Sequence, residues 1–192
     1  SSSVTRRPAN KTKGTSAFIE VSDTEASALS TWDVALGQFI SEPIEAQTIS
    51  GSIKGYIRAR ENATGVNARS QLVVRVVSND GSVVRGTLLA QDNTTTNVSE
   101  WVQTTTATAA RNARFPTPTA TSTLTPVTAQ DGDRIVIEVG GRAVNTATTA
   151  TFTLAMRFGE NAVDLAENET GTTEGAPWVE FAAAIPFQGL SP

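Results

Sequence analysis

Residues 71–89, QLVVRVVSNDGSVVRGTLL, hold two runs rich in β-branched side chains on either side of Asn79, Asp80 and Gly81. Valine is stiff at χ1 and suits a pleated surface, while Asp-Gly supplies the positive φ angles of a tight turn, so the stretch reads as a β-hairpin. A three-residue loop would set Arg75 against Arg85, a like-charge pair. A two-residue Asp80-Gly81 loop instead sets Val76 against Arg85 and Arg75 against Gly86, and is the preferred register. The hairpin makes the chain antiparallel β.

Working outward, the remainder fits that class. The chain has 192 residues, enough for one domain with a sizeable core. Ser, Thr, Ala, Gly and Asn dominate beside few straight-chain helix formers, which favours strands and loops. The chain contains no Cys and no His. That removes Ser-His-Asp and Cys-His nucleophiles, histidine bases, Cys or His zinc sites and disulfide staples. No apolar run is long enough to span a bilayer, and the first residues lack the apolar core of a signal peptide, so the sequence reads as soluble, unprocessed and trimmed only of an initiator Met.

Charge is unevenly placed. Residues 1–16 carry Arg6, Arg7, Lys11 and Lys13 and no acid, leaving eleven basic against nineteen acidic side chains in the body, a net −8. An acidic body argues against nucleic-acid binding. The first sixteen residues read as an extended basic arm that docks on another subunit, and residues 17–192 as a single domain.

Along that domain, residues 18–21 read as a short strand, and Ser22, Asp23, Thr24 and Glu25 as a cap-like sequence opening one helical turn. Residues 32–40 read as a strand bent at Gly37. Residues 44–61 alternate most cleanly: Ile49, Gly51, Ile53, Gly55, Ile57 and Ala59 on one face, Ser50, Ser52, Lys54, Tyr56, Arg58 and Arg60 on the other. Such a strand covers a core on one side only, and its glycines allow a bend or close packing of another layer. Residues 62–70 read as a turn-rich link, 100–108 as a Thr-rich strand, 111–114 as a basic connector, and 115–126, with three prolines, as an extended crossover. Residues 134–140 read as a core strand paired with 150–158, residues 160–176 as a long acidic loop, and 178–185 as the last strand. Nine or ten strands with frequent turn signals predict an all-β antiparallel sandwich, jelly-roll-like; an immunoglobulin-like sandwich is the alternative.

Three sets of residues suggest sites. Asp164, Glu167 and Glu169, with Glu160 and Glu174 nearby, offer oxygen ligands for Ca²⁺, although their spacing matches no defined calcium loop, and a solvated acidic loop or a subunit contact competes with that reading. The same carboxylates could serve glycoside hydrolysis, but nothing in the sequence pairs them. Tyr56 and Trp101 are the aromatics best placed to stack on a glycan if exposed, against the ordinary reading of core residues. The N-x-Ser/Thr triplets at Asn10, Asn62, Asn93, Asn97 and Asn168 are expected by chance in so Thr-rich a chain. No cofactor is implied.

DGDRIVIEVGGRAVNT (131–146), DLAENET (164–170), PWVEF (177–181) and ISGSIKGYIRARE (49–61), taken with the 71–89 hairpin, resemble a group of structural proteins of tailed bacteriophages. The resemblance covers roughly residues 30–185 and leaves the arm outside it. It carries no catalytic or ligand residues. It implies a β-sandwich in a virion, and leads to the expectation of a non-enzymatic capsid decoration or cement protein. Such a protein would be a trimer whose arm residues Arg6, Arg7, Lys11 and Lys13 contact the major capsid protein and neighbouring copies, with neither nucleic acid nor membrane as partner. A receptor- or glycan-binding module of a tail fibre, or a tail or collar component, is the alternative.

Overall fold

The computed structural model describes residues 6–9, 15, 17–93, 99–117, 122–159 and 162–189. Its strands are β1 (Arg6–Pro8), β2 (Ile19–Glu25), β3 (Thr31–Ile40), β4 (Gln47–Ile49), β5 (Ile53–Glu61), β6 (Val66–Val77), β7 (Val84–Leu89), β8 (Val102–Gln103), β9 (Arg111–Phe115), β10 (Val127–Ala129), β11 (Arg134–Asn145), β12 (Phe152–Phe158) and β13 (Trp178–Phe181). Three residues, Ala107–Ala109, form a 3-10 turn. Among the described residues no helix is long and apolar enough to cross a membrane.

Two sheets face one another, as the strand pattern predicts. The first runs β1-β3-β11-β6-β7; the second runs β13-β5-β12-β2, with β8 and β9 on the far side of β5, and β4 with β10 makes a small ribbon. Inward side chains of alternate residues, among them Ile57, Val74, Leu88, Ile135, Leu154 and Met156, make one core. Trp32 meets Phe152 edge-on and Phe39 meets Phe158, tying the two sheets together along one side.

The central hairpin forms with a corrected register. Val77 pairs with Val84, as a two-residue loop requires, but the ladder then slips, setting Val76 against Gly86, Arg75 against Thr87 and Val74 against Leu89. The slip drops Arg85 out of the ladder, and its guanidinium reaches the buried carboxylate of Asp133 at 3.1 Å. A buried carboxylate requires a partner, and a bulge is how a strand re-aims one side chain. At the tip, Gly81 takes the positive φ (74°) and Asp80 accepts bonds from Ser78 Oγ and from Ser82 N and Oγ. Those bonds hold the Asp80 carboxyl down at about 2.

Other local expectations are overturned by pairing. Residues 22–25 continue β2 instead of opening a helical turn, because β12 pairs with them through Phe152↔Glu25. The 49–61 alternation is broken at Gly51 (φ 95°), separating β4 from β5. Most of the supposed link at 62–70 belongs to β6, whose Val66 pairs with Asn145. The basic connector is β9, paired with β5 from Gly55↔Phe115 to Ala59↔Arg111. A Cβ on Gly55 would lie 2.3 Å from the Phe115 ring and 2.4 Å from Trp178 O, so crowding by the flanking strands β9 and β13 of its own sheet, not by another layer, is why glycine stands there. Of the Thr-rich strand only β8 is extended in a sheet. Finally, β12 does not pair with β11. Asn145 bonds Thr149 through both ends of its side-chain amide, turning the chain out of the first sheet and into the second, where β12 lies between β5 and β2.

Candidate functional site

The arm is the first feature singled out by charge. Arg6–Pro8 runs parallel to β3 at the edge of the first sheet, in the register Arg6↔Gln38, Arg7↔Phe39, Pro8↔Ile40, and the Ala9 N–H donates to Ile40 O at 2.8 Å. The described part of the arm thus lies on its own domain. Lys11 and Lys13 fall outside the described residues.

The second feature is the outer face of β5. Period two directs Lys54, Tyr56, Arg58 and Arg60 outward, and an outward face of a sandwich normally meets water. Here two segments cover it. Thr108 and Ala110, beside the 3-10 turn, present carbonyls that accept from Arg58 Nη2, and the acidic loop presents Glu174, 3.3 Å from Arg58 Nη1. Glu174 also takes Arg157 from β12, so one carboxylate bridges two guanidinium groups. Arg58 is 1% exposed, and burial pushes its pKa down, with Glu174 opposing and Arg157 adding to the fall. Arg60 forks onto Glu20 of β2 and donates to Thr104 O.

Along the same loop, Lys54 Nζ lies 2.8 Å from Glu167 and 3.4 Å from Glu180, and the Glu167 hydrogen bond raises its pKa. Trp178 packs against Tyr56 with ring centroids 5.6 Å apart, while its indole N–H donates to Leu165 O. Asn112 fastens the loop twice more, through Ala166 O and Gly171 O. The acidic segment is therefore a strap fixed over the second sheet by cations, an indole and an amide.

That arrangement redirects the sequence-derived candidates. Tyr56 is 7% exposed and Trp101 is 3% exposed, so neither offers a ring face to a sugar. Tyr56 lies beneath the strap; Trp101 enters the core beside Gly141 and donates to Ser70 Oγ. Glu167 is turned toward Lys54, and Asp164 stands in a short bridge to Ala176. Among the described residues no three carboxylates converge as a metal site would require, and Glu160 lies outside those residues.

Sequence reading missed one group inside the sandwich. Glu61 is 1% exposed, accepts from Ala68 N at 3.2 Å, and is pushed up to about 8 by burial and by the neighbouring charge of Glu100. A signal existed: Ile53, Gly55, Ile57 and Ala59 set the inward phase of β5, and Glu61 continues it.

The first sheet presents a different outer face. Part of its charge is paired within the sheet, Glu138 of β11 taking Arg75 from β6 and Gln38 from β3, and Asp33 taking Arg142, while Arg142 also donates to Asn93 and Arg134 donates to Asn79 and to Ser41 O. Ile40, Val73 and Val136 lie half-buried beside these pairs. At the β7 end, a cleft of about 250 Å³ is lined by Ser70, Gln71, Asp92, Asn93, Thr117 and Thr123 beside Leu72, Leu88 and Leu89, and the buried Thr117 hydroxyl has no hydrogen-bond partner among the described residues.

No known protein family matches the chain. No curated protein matches it in sequence. Among solved structures it is similar to a chain of infectious bursal disease virus, Gx strain, with 13% identity and a TM-score of 0.28, over 74% of this chain and 34% of that one. A chain of the Gt strain of the same virus gives 11% identity and a TM-score of 0.24, over 87% of this chain and 38% of that one. The chain spans little more than a third of the length of these relatives.

Proposed function

We propose that the chain is a non-enzymatic structural protein of a virus particle, and specifically a head decoration or cement protein of a tailed bacteriophage. The observation that carries this reading is the one-sidedness of the sandwich. One sheet is closed by straps over Arg58 and Arg157, whereas the other leaves the Arg75–Glu138 pair partly exposed on its outer face and is edged by a basic arm. Such a module suits lying on a lattice of repeated subunits. The resemblance of residues 30–185 to tailed-phage structural proteins supports the same reading. The major capsid protein and neighbouring copies are then the partners, with the arm's four basic side chains adding salt-dependent contacts to acidic surface.

Quantitative mass spectrometry of purified particles tests the placement. Hundreds of copies per particle are expected; absence from the particle removes the reading. Deleting residues 1–16 is expected to weaken binding to undecorated heads, and intact binding would eliminate the arm's role.

The cleft beside β7 favours a second reading, a glycan-binding module on a tail fibre. Its mixed lining, with hydroxyls and amides beside Leu72, Leu88, Leu89 and the carboxylate of Asp92, suits a sugar, at residues other than Tyr56 and Trp101. A glycan array with no binder would dispose of it, and a copy number of a few dozen or fewer would bring it forward.

A further inference from the structure

From the way the arm is seated, we infer that the edge of β3 is a strand-exchange site, and that in the assembled protein it receives Arg6–Pro8 from a second copy of this chain. The inference deepens the reading of a multi-copy structural component and rests on it. Three features of the edge carry it.

The first is what holds the arm. Among the described residues strand β1 pairs with β3 alone, over three residues, and its sequence Arg-Arg-Pro brings no large apolar side chain to the core. The seat is made of backbone hydrogen bonds, closed by Ala9 N to Ile40 O. An identical segment from a neighbour would make the same bonds in the same register, so exchange sacrifices no contact.

The second is the link. The chain leaves the first sheet at Ala9 and rejoins the body at Phe18, which packs on Gly159 next to the Ile19↔Phe158 pair of the second sheet. The ends of that path are near one another, since Phe39, beside Arg7, lies against Phe158 with ring centroids 5.6 Å apart. Facing sheets are about 10 Å apart. Residues 10–17 are eight in number and can span about 28 Å when extended. The link is more than twice as long as the local path needs, which is enough to reach an adjoining subunit. Thr15 and Ala17, its described residues, are exposed.

The third is the room left on the edge. Among the described residues no strand pairs with Thr31 to Gly37 on the side that β1 occupies at Gln38 to Ile40. A parallel strand in the β1 register extends toward that open stretch, and unpaired edges of this kind recruit strands from other chains. The basic arm and the acidic body add a long-range attraction between copies that dilution or salt weakens.

In dilute solution the tether favours the chain's own seat, because the arm's effective concentration there is high. Packing copies side by side raises the competing concentration and transfers the arm to its neighbour. The chain has no cysteine, so the pair Arg6→Cys with Gln38→Cys introduces the only two thiols, at facing positions of the β1–β3 pair. The full-length double variant is oxidised at high concentration, with light scattering to give its mass, and run on a non-reducing gel. Covalent multimers that collapse to monomer on reduction are expected. A monomer by light scattering, or an oligomer whose only disulfide is internal, overturns the exchange. Deleting residues 1–9 checks the result without relying on thiol geometry: loss of the oligomer is expected, and an oligomer that survives overturns the inference. These measurements use purified protein, so exchange in a chain missing from phage particles would refute the decoration reading alone, and a decorated head with internal disulfides only would refute the exchange alone.

Discussion

The outer faces of the two sheets are built from similar side chains and put to different use. On the second sheet Arg58, Arg60 and Lys54 are roofed by the 104–110 and 162–177 segments, and their charges are answered by carboxylates arriving from other strands and from the strap. On the first sheet Arg75 is answered by Glu138 within the sheet, while Arg142, buried like Gln71 beside it, is answered by Asp33 and by Asn93 of the short segment that follows β7. The difference shows that a polar face of a sandwich is not by itself a solvent face. What decides is whether a long loop returns with matching charges. Where a segment does return, as over Arg58 and at Arg142, buried cations become part of the fold, and where none does, as at Arg75 and Glu138, the charges stay partly exposed.

The largest effect expected concerns the charge that neither face holds, the inward Glu61. Its pKa in the folded chain, about 8, lies above that of an unfolded glutamate, so the stabilising neutral form is fully present below about 4.5 and is lost as pH rises through 8. Urea unfolding should show stability falling by on the order of 4 kcal/mol between pH 5 and pH 9. In Glu61→Gln the fall should vanish. A parallel decline in both proteins would show that another group titrates.

Next comes the comparison of the faces themselves. Glu174→Ala leaves Arg58 buried without its carboxylate and is expected to cost about 3 kcal/mol. Glu138→Ala on the open face should cost less than about 1 kcal/mol, because Arg75 can turn to water. Equal losses in urea unfolding would abolish the distinction drawn between roofed and open. Smallest of all is Lys54→Met: the Lys54–Glu167 pair is about half exposed at both ends, so the loss should be the least of the three and should disappear in high salt. A larger, salt-independent loss would mean that the strap is anchored at Lys54 and not at Glu174.

Much of the fold was legible locally. The 71–89 hairpin, the crowding at Gly55 and the core strand at 134–140 followed from β-branched runs, glycines and period two, and the bend expected at Gly37 falls where the β3–β11 register shifts between Gly37 and Ala35. The outer-face chemistry was much less so. The alternation of β5 told which side chains point outward, but not that residues 104–110 and 174, some fifty and more than a hundred positions further on, would close over them. Tyr56 was a candidate for exposure for the same reason, whereas Trp101 follows the ordinary core reading that competed with a glycan contact. Glu61 was readable in principle, since it keeps the inward phase of its strand.

The sequence by itself determined the class, the hairpin and the inward phase of the strands, because propensity, turn chemistry and side-chain alternation act over a few residues. It also limited the chemistry, through the lack of histidine and cysteine. Only the tertiary structure decided that β12 joins β5 instead of β11, that Arg85 leaves its ladder for Asp133, that the acidic loop is a strap, and that the basic arm takes a place on β3. Each of those outcomes is a choice among partners distant in the chain, made by burial, by the need of buried charges for counter-charges and by the edges left open when the two sheets come together.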